Sequence, residues 1–336
     1  QIFFIMILFE GQSILKQNNV KTKVNKEADM MIGKICGTGS SIPVKIMDND
    51  DLSNMVDTND AWIRERTGVE KRHIAESEST VSMAVEAGRQ ALAQTGIRPE
   101  ELDMIVVSTM SPDAVLPCTA CEVQKAIGAE GAVCFDLQAA CTGFIFAYNT
   151  AQAYIQSNMC RTVLLIGSER LSRLVDWTDR GTCILFGDGA GAAVLKAAEG
   201  RAYLPVSHSD GKKGEALTCD RYIHMDGRAV FQFAVTRVPE VIREVLTKNE
   251  LLMDDIDYFV LHQANRRIVE AVAKRLRQPI EKFPMNLQEY GNTSSASIPI
   301  LLNELDQSKR LKTGDRIVMA GFGGGLTWGA SIAEWI

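Results

Sequence analysis

Four short segments bring together residue types that can do covalent chemistry, each where the secondary-structure pattern changes. Cys141 lies in Gln138-Ala-Ala-Cys141-Thr-Gly-Phe-Ile, after a buried-strand pattern at Val133–Leu137 and ahead of a helical one. At a helix start, unpaired N–H groups and the macrodipole favour thiolate over thiol. Ala139, Ala140 and Gly143 leave space for a ligand; a core cysteine packed under a helix is the structural alternative. His262 ends the apolar run Tyr258-Phe-Val-Leu and precedes Gln-Ala-Asn265. A histidine at the C-terminal end of a buried strand is well placed for a crevice, although a satisfied structural histidine fits the segment too. The other three histidines, His73, His208 and His224, sit in polar or loop-like stretches. Asn292 lies in Glu289-Tyr-Gly-Asn292-Thr-Ser-Ser-Ala-Ser. Asparagine and serine serve as loop and N-cap residues, yet the unbroken small residues also invite close approach by another group. Gly321-Phe-Gly-Gly-Gly-Leu-Thr-Trp-Gly329 has five glycines in nine residues after an apolar strand. Glycine lets backbone N–H groups approach a ligand, so this loop is a candidate oxyanion donor as well as a hairpin.

Three further patterns carry less. Gly37-Thr-Gly39-Ser-Ser-Ile42 begins like a dinucleotide fingerprint, but the third glycine is missing and Pro43 interrupts the helix that would bind pyrophosphate. Gly187-Asp-Gly189-Ala-Gly191 lacks the Lys-Ser/Thr of a phosphate loop and reads as the turn of a hairpin between Ile184–Leu185 and Ala192–Leu195. Cys118-Thr-Ala-Cys121 has the spacing of a redox or zinc pair without a second pair; a helix start after Pro117, with Cys121 in the core, is preferred. No His, Cys and Asp cluster has metal-ligand spacing, so neither a metal nor another cofactor is expected.

The 336 residues are 46% hydrophobic and 23% charged, ample for a core and long enough for two domains or one large α/β unit. A net charge of −6 without a long basic run argues against nucleic-acid binding. Eight scattered cysteines, mostly in apolar surroundings, fit free thiols in a reducing cytoplasm better than a disulfide framework. The apolar run Ile2–Phe9 is too short to span a bilayer and no basic residue precedes it, so no membrane is expected. Residues 1–29 are read as an extension, with the core starting near Met30 or Met31.

The candidate residues need elements to hold them. Strands are expected at Ile32–Cys36, Met104–Ser108, Val133–Leu137, Val163–Ile166 and Tyr258–Leu261, with closing strands at Arg316–Ala320 and Gly329–Ile332. Helical spacing appears at Val81–Thr95, Gly143–Gln156, Arg267–Arg277 and Ser297–Asp306, and at Val238–Thr247 with Pro239 in its first turn. The order repeats. Asp103-Met-Ile-Val-Val aligns with Asp257-Tyr-Phe-Val-Leu at an offset of 154. The same offset carries Val163–Gly167 onto Ile317–Gly321, Cys141 onto Ser295 and Gln138 onto Asn292. Two similar halves follow, roughly 30–200 with Cys141 and 201–336 with His262 and Asn292, and a site between them would draw on both.

Taken in order, Trp62-Ile-Arg-Glu-Arg-Thr-Gly68, Ala139-Ala-Cys141-Thr-Gly-Phe144, Asp179-Arg-Gly-Thr182, Phe186-Gly-Asp-Gly-Ala-Gly191, His262-Gln-Ala-Asn265, Gly291-Asn-Thr-Ser294 and Phe322-Gly-Gly-Gly-Leu-Thr-Trp328 resemble the thiolase-like condensing enzymes. Specifically they resemble β-ketoacyl-acyl-carrier-protein synthase III, from about Met31 to Ile336. That resemblance implies an α/β, thiolase-like fold: two duplicated βαβαβαββ halves in five layers, α-β-α-β-α. It implies a Cys141–His262–Asn292 triad of the initiating type, because Gly-Asn-Thr-Ser stands where elongating synthases have a second histidine.

A ping-pong reaction is also implied. Acyl-CoA loads Cys141, with the tetrahedral oxyanion held by the N–H groups of Cys141 and Gly324. Malonyl-acyl-carrier-protein then loses CO₂ while His262, as a neutral imidazole, and Asn292 donate to the enolate oxygen. The 3-ketoacyl-acyl-carrier-protein product would initiate fatty acid biosynthesis. By the same resemblance Trp62 and Arg180 sandwich the CoA adenine, and Arg66 and Asn265 line the pantetheine tunnel. Arg266, Arg267 and Lys274 form a patch for the acidic carrier protein. Leu116 reaches across a homodimer interface to the far end of the acyl pocket. The nearest alternative is a synthase-III-like acyltransferase of secondary metabolism with another acceptor; a papain-like hydrolase and a silent CoA-binding module are more distant.

Overall fold

The computed structural model describes residues 30–336. The extension read at residues 1–29 lies outside the described residues. The first half opens with β1 (Met30–Ser41), longer than its apolar run because it pairs along its length with β7 (Gly189–Gly200). Between them come β2 (Ile46–Asp48), α1 (Asn49–Ser53), α2 (Asp60–Thr67), β3 (Lys71–His73), α3 (Thr80–Thr95), β4 (Met104–Ser108) and α4 (Thr119–Ile127). β5 (Val133–Leu137), α5 (Gly143–Gln156), β6 (Thr162–Glu169) and α6 (Arg180–Cys183) complete the half. Its main sheet runs β1-β7-β6-β4-β5, with β4 parallel to both neighbours and β7 antiparallel to both of its own.

The second half contains β8 (Val206–Ser209), the hairpin β9 (Leu217–Cys219) and β10 (Ile223–Met225), α7 (Gly227–Lys248), β11 (Tyr258–Leu261) and α8 (Arg266–Leu276). α9 (Leu287–Tyr290), α10 (Ser297–Gln307), β12 (Arg316–Gly323) and β13 (Thr327–Glu334) follow. Its sheet runs β11-β12-β13-β8.

Side-chain alternation along the central strands sets the layers. Leu164 and Ile166 of β6 join Met83 and Ala87 of α3 and Val123 of α4. Val163 and Leu165 point the other way, into Phe144 and Ile145 of α5 and Leu301 and Leu302 of α10. Ile317 and Met319 of β12 meet that same central helix pair, while Val318 and Ala320 face Val241 and Val245 of α7 and Val272 of α8. Helices, sheet, helices, sheet, helices is therefore the order across the molecule, the five layers expected.

The repeat extends to individual hydrogen bonds. Met104 pairs with Val163, and Tyr258 with Ile317, all related by the offset of 154. Asp103 Oδ2 accepts from Thr162 N at 2.9 Å, and Asp257 Oδ2 from Arg316 N at 2.8 Å. A short 3₁₀ turn, Ala140–Thr142, delivers the chain into α5, and Ser294–Ala296 delivers it into α10. Each turn opens on a residue in the left-handed region, φ 46° at Ala140 and 49° at Ser294, a conformation that non-glycine residues adopt at a cost.

Several local readings change. The pattern at Val238–Thr247 is the second part of α7, which begins where the Asp226 carboxylate accepts from Arg228 N and Ala229 N, both at 3.0 Å. Pro239 thus lies inside the helix and strips the Val235 carbonyl of its intrahelical partner. Arg275 Nη1 of α8 donates to that oxygen instead, at 2.6 Å. Gly187-Asp-Gly189 is not a hairpin turn. Asp188 is fully buried, and its oxygens accept from Ala75 N and Ser172 N, both at 2.8 Å. The segment is a junction feeding β7, preceded by α6 and a single bridge from Phe186 to Asn292. Gly37 and Gly39 belong to β1, where a Cβ would run into the backbone carbonyls of Ala91 and Ala87 in α3. Cys121 is half-buried rather than in the core. Among the described residues no helix is long and apolar enough to cross a membrane.

Candidate active site

The strand ends and the two short turns converge on a cavity of about 280 Å³, lined by Cys141, His262, Asn292, Ser294, Phe322 and Gly324 among others. Cys141 arrives from the first half and the rest of these from the second. Thr142 Oγ1 donates to Ala139 O at 2.7 Å and closes the turn that carries Cys141. Cys141 is only 7% exposed. Burial pushes its thiol up to about 12, against the Ser294 hydroxyl, which pulls it down; the Glu169 carboxylate adds to the rise. Burial therefore favours the thiol over the thiolate expected from the helix start. A Cβ on Gly323 would lie 2.8 Å from Cys141 N, so its missing side chain keeps that N–H group uncovered, while Thr142 N donates to Ala139 O at 3.2 Å. Gly324 lines the cavity beside Ala140.

His262 follows β11, its N–H bonded to Ala320 O at 2.9 Å, with Phe322 edge-on to the ring at 5.6 Å. Burial pushes the imidazole down to about 4, so it is neutral at ordinary pH. Ser297 Oγ lies 2.8 Å from Nδ1 and 2.9 Å from Ser294 O. One hydroxyl proton decides the tautomer. Turned toward Nδ1 it leaves Nε2–H as a donor; turned toward Ser294 O it leaves Nδ1 protonated. Nε2 itself is buried without a hydrogen-bond partner.

Asn292 is held across the halves, its N–H on Leu185 O at 2.8 Å and its carbonyl accepting from Gly187 N at 3.1 Å. Gly291 before it has φ 67°, and a Cβ there would lie 2.7 Å from Leu185 O, which explains the glycine. Asn292 Oδ1 accepts from Ser294 N at 2.9 Å, and this orients the amide so that Nδ2 remains the donor.

Two parts of the site escaped the sequence reading. Glu169, fully buried at the end of β6, accepts from Ser111 Oγ at 2.6 Å, Met110 N at 3.1 Å and Ser295 Oγ at 2.8 Å. Its signal was a lone carboxylate ending an apolar strand. Leu217, Ile223 and Met225 of the β9–β10 hairpin wall the cavity; their alternation around Asp220-Arg-Tyr was available but weak.

Family models for 3-oxoacyl-[acyl-carrier-protein (ACP)] synthase III match residues 135–211, which hold Cys141, and, for its C-terminal part, residues 246–335, which hold His262 and Asn292. A β-ketoacyl-[acyl-carrier-protein] synthase III of Clostridium novyi (strain NT) is 46% identical over 319 residues, covering 90% of this chain and 98% of the relative. A Bacillus anthracis β-ketoacyl-[acyl-carrier-protein] synthase III 1 is 47% identical over 304 residues, with the same coverage. The crystal structure of 3-oxoacyl-[acyl-carrier-protein] synthase III from Aquifex aeolicus VF5 gives a TM-score of 0.89 at 45% identity, over 90% of this chain and 100% of that one. The chain belongs to the β-ketoacyl-[acyl-carrier-protein] synthase III family. It is an acyltransferase of the condensing type with the thiolase-like fold, not a papain-like hydrolase.

The other residues singled out on this synthase III chain lie away from the cavity lining. The Arg180 guanidinium sits 4.8 Å from the Trp62 ring centroid and that of Arg66 5.7 Å. Asn265 Nδ2 donates to Arg66 O at 2.9 Å while its Oδ1 caps Arg267 N at 2.8 Å. Arg266, Arg267 and Lys274 are exposed on α8; Arg266 pairs with Glu270 at 3.5 Å, and Arg267 lies over the Phe231 ring at 5.3 Å. Leu116 is 83% exposed and takes no part in its own chain's cavity.

Proposed function

We propose that this chain joins an acyl-CoA primer to malonyl-acyl-carrier-protein, giving a 3-ketoacyl-acyl-carrier-protein, CoA and CO₂, the initiating condensation of fatty acid biosynthesis. One observation carries the reading: a sulfur nucleophile meets two uncharged donors, the unpartnered His262 Nε2 and the Asn292 amide, on one cavity. Curated relatives at 44–47% identity share the synthase III name, which favours initiation over a secondary-metabolic acceptor.

In the loading step the Cys141 sulfur attacks the acyl-CoA carbonyl carbon. A carbon–sulfur bond to Cys141 forms, the bond to CoA breaks, and the thiol proton ends on the CoA sulfur. The N–H groups of Cys141 and Gly324 hold the tetrahedral oxyanion; the clearance left by Gly323 supports this. In the second step malonyl loses CO₂, and its bonding pair becomes an enolate. Asn292 Nδ2–H and His262 Nε2–H donate to the enolate oxygen, with Ser297 turned to donate to Nδ1. The enolate carbon attacks the acyl carbon, Cys141 leaves as thiolate, and one proton from solvent restores the thiol.

Trp62 and Arg180 take the CoA adenine between them by opening their 4.8 Å contact to about 7 Å, roughly 3.5 Å per face. Arg66 and Asn265 lie along the pantetheine path. Arg266, Arg267 and Lys274 receive the acidic carrier protein. Leu116, exposed together with Val115, reaches into the acyl pocket of a second copy in a homodimer. Eight free cysteines fit a reducing cytoplasm.

Incubation with a panel of acyl-CoAs, followed by mass spectrometry, is expected to show one acyl adduct, on Cys141. Malonyl-acyl-carrier-protein then converts it to a carrier-bound 3-ketoacyl product with CO₂. His262→Ala and Asn292→Ala should each slow decarboxylation by about 100- to 1,000-fold while the adduct still forms. No adduct with any acyl-CoA, or equal losses in both steps, would contradict these assignments.

A further inference from the structure

Cys118 and Cys121 stand outside the machinery above. Cys118 is the N-cap of α4 and makes no side-chain capping bond; Cys121 is three residues on, in the first turn. Side chains three apart share a helix face, and here Cys118 Sγ donates to Cys121 Sγ at 3.4 Å. Both residues are half-buried and free. A disulfide needs about 2.05 Å between sulfurs, so closing the pair asks for little more than an ångström of sulfur movement. The backbone around them is already pinned: Asp136 of β5 accepts from Thr119 N and Ala120 N, both at 2.8 Å. Cys134 also lies within hydrogen-bond reach of Cys121, and its Sγ donates to Ala132 O at 3.5 Å. Among the described residues no group of His, Cys, Asp and Glu is placed to hold a metal ion. Thiol–disulfide chemistry, rather than zinc, suits the motif.

We propose that Cys118 and Cys121 form a reversible dithiol–disulfide site, oxidised by hydroperoxides and reduced by dithiols, separate from the acyl-accepting Cys141. The Cys118 sulfur attacks a peroxide oxygen and the O–O bond breaks. An alcohol, or water from hydrogen peroxide, leaves with the thiol proton, and Cys118 becomes a sulfenic acid. The Cys121 sulfur then attacks the Cys118 sulfur, the S–O bond breaks, and water leaves with the Cys121 proton. Two thiols lose two electrons and two protons in all, and one hydroperoxide is reduced. A dithiol reverses the change by exchange and becomes a disulfide itself. Cys118 is the attacking sulfur because it stands at the N-cap, ahead of the first turn of α4, whereas Cys121 lies within that turn.

The test uses the full chain, hydrogen peroxide, alkylation and tryptic mapping. The tryptic fragment ending at Lys125 carries Cys118 and Cys121 and no other cysteine. It is expected to lose two hydrogens and escape alkylation, and to regain both thiols with dithiothreitol, while Cys141 still takes an acyl adduct. Cys118→Ser and Cys121→Ser should each abolish the loss, and Cys134→Ser should leave it unchanged. A fragment that stays reduced at peroxide levels that oxidise Cys141 overturns the proposal. So does a disulfide that joins Cys121 to Cys134 or links two chains.

Discussion

At Ala140–Thr142 and at Ser294–Ala296, 154 residues apart, a residue of positive φ opens a short turn that feeds a helix. In the first turn the middle residue, Cys141, lines the cavity. In the second it is Ser295, buried, whose hydroxyl meets Glu169 Oε1 at 2.8 Å and Ser108 O at 2.9 Å. The neighbours differ in the same sense. By the offset His262 matches Ser108 and Ser297 matches Gly143, so a hydrogen-bonded imidazole and hydroxyl in one half face a serine and a glycine in the other. Gly323 matches Glu169: one strand end clears the Cys141 N–H group, and the other grips Ser295. Duplication kept the backbone and divided the chemistry, with each half's strand end serving the other half's turn.

The sharpest break of this comparison is at the two middle residues. Cys141→Ser is expected to slow condensation by at least about 10⁴-fold. The matching Ser295→Ala should load normally but lose about 1–3 kcal/mol of stability, because Glu169 is left buried with one donor fewer. Adduct mass and denaturant titration read the two; a folded Ser295→Ala enzyme unable to load would erase the distinction. Next come the strand ends. Gly323→Ala puts a methyl group against the Cys141 N–H and should slow loading by about 100- to 1,000-fold. Gly167→Ala, whose Cβ would lie 2.5 Å from Ser295 O, should instead cost about 1–3 kcal/mol of stability by overpacking.

A third difference is in proton binding. His262 titrates near 4 in the folded chain, against about 6.5 when unfolded. Over that interval the unfolded chain binds more protons, so stability falls as pH drops from about 6.5 to about 4, by about 3 kcal/mol. Ser108, its counterpart, contributes nothing. Urea midpoints of the wild type and His262→Asn at several pH values test this, and parallel curves would refute it. The smallest effect is expected at Ser297→Ala, up to about tenfold slower decarboxylation with loading unchanged, from loss of one orienting hydrogen bond.

The repeat was legible because β4 and β11 are buried on both faces and read as apolar runs, each preceded by an aspartate. That Cys141, His262 and Asn292 meet on one cavity was legible because each interrupts such a pattern at a strand end or turn. Glu169 was not, since its partners lie far along the chain at Ser111 and Ser295. Pro239 misled because its rescuer, Arg275, sits on another helix. The charge state of Cys141 misled because motif spacing reports the dipole but not the depth of burial that opposes it.

At Gly37 and Gly39 the gap that a side chain would fill is occupied by the carbonyls of a neighbouring helix. A pyrophosphate makes the same demand of a strand-to-helix loop. Paired glycines are thus a steric footprint, silent about what stands in it, and a search keyed to their spacing retrieves nested backbones along with nucleotide sites. What separates the two is the continuation: here the strand simply carries on, and no helix terminus is offered to an anion.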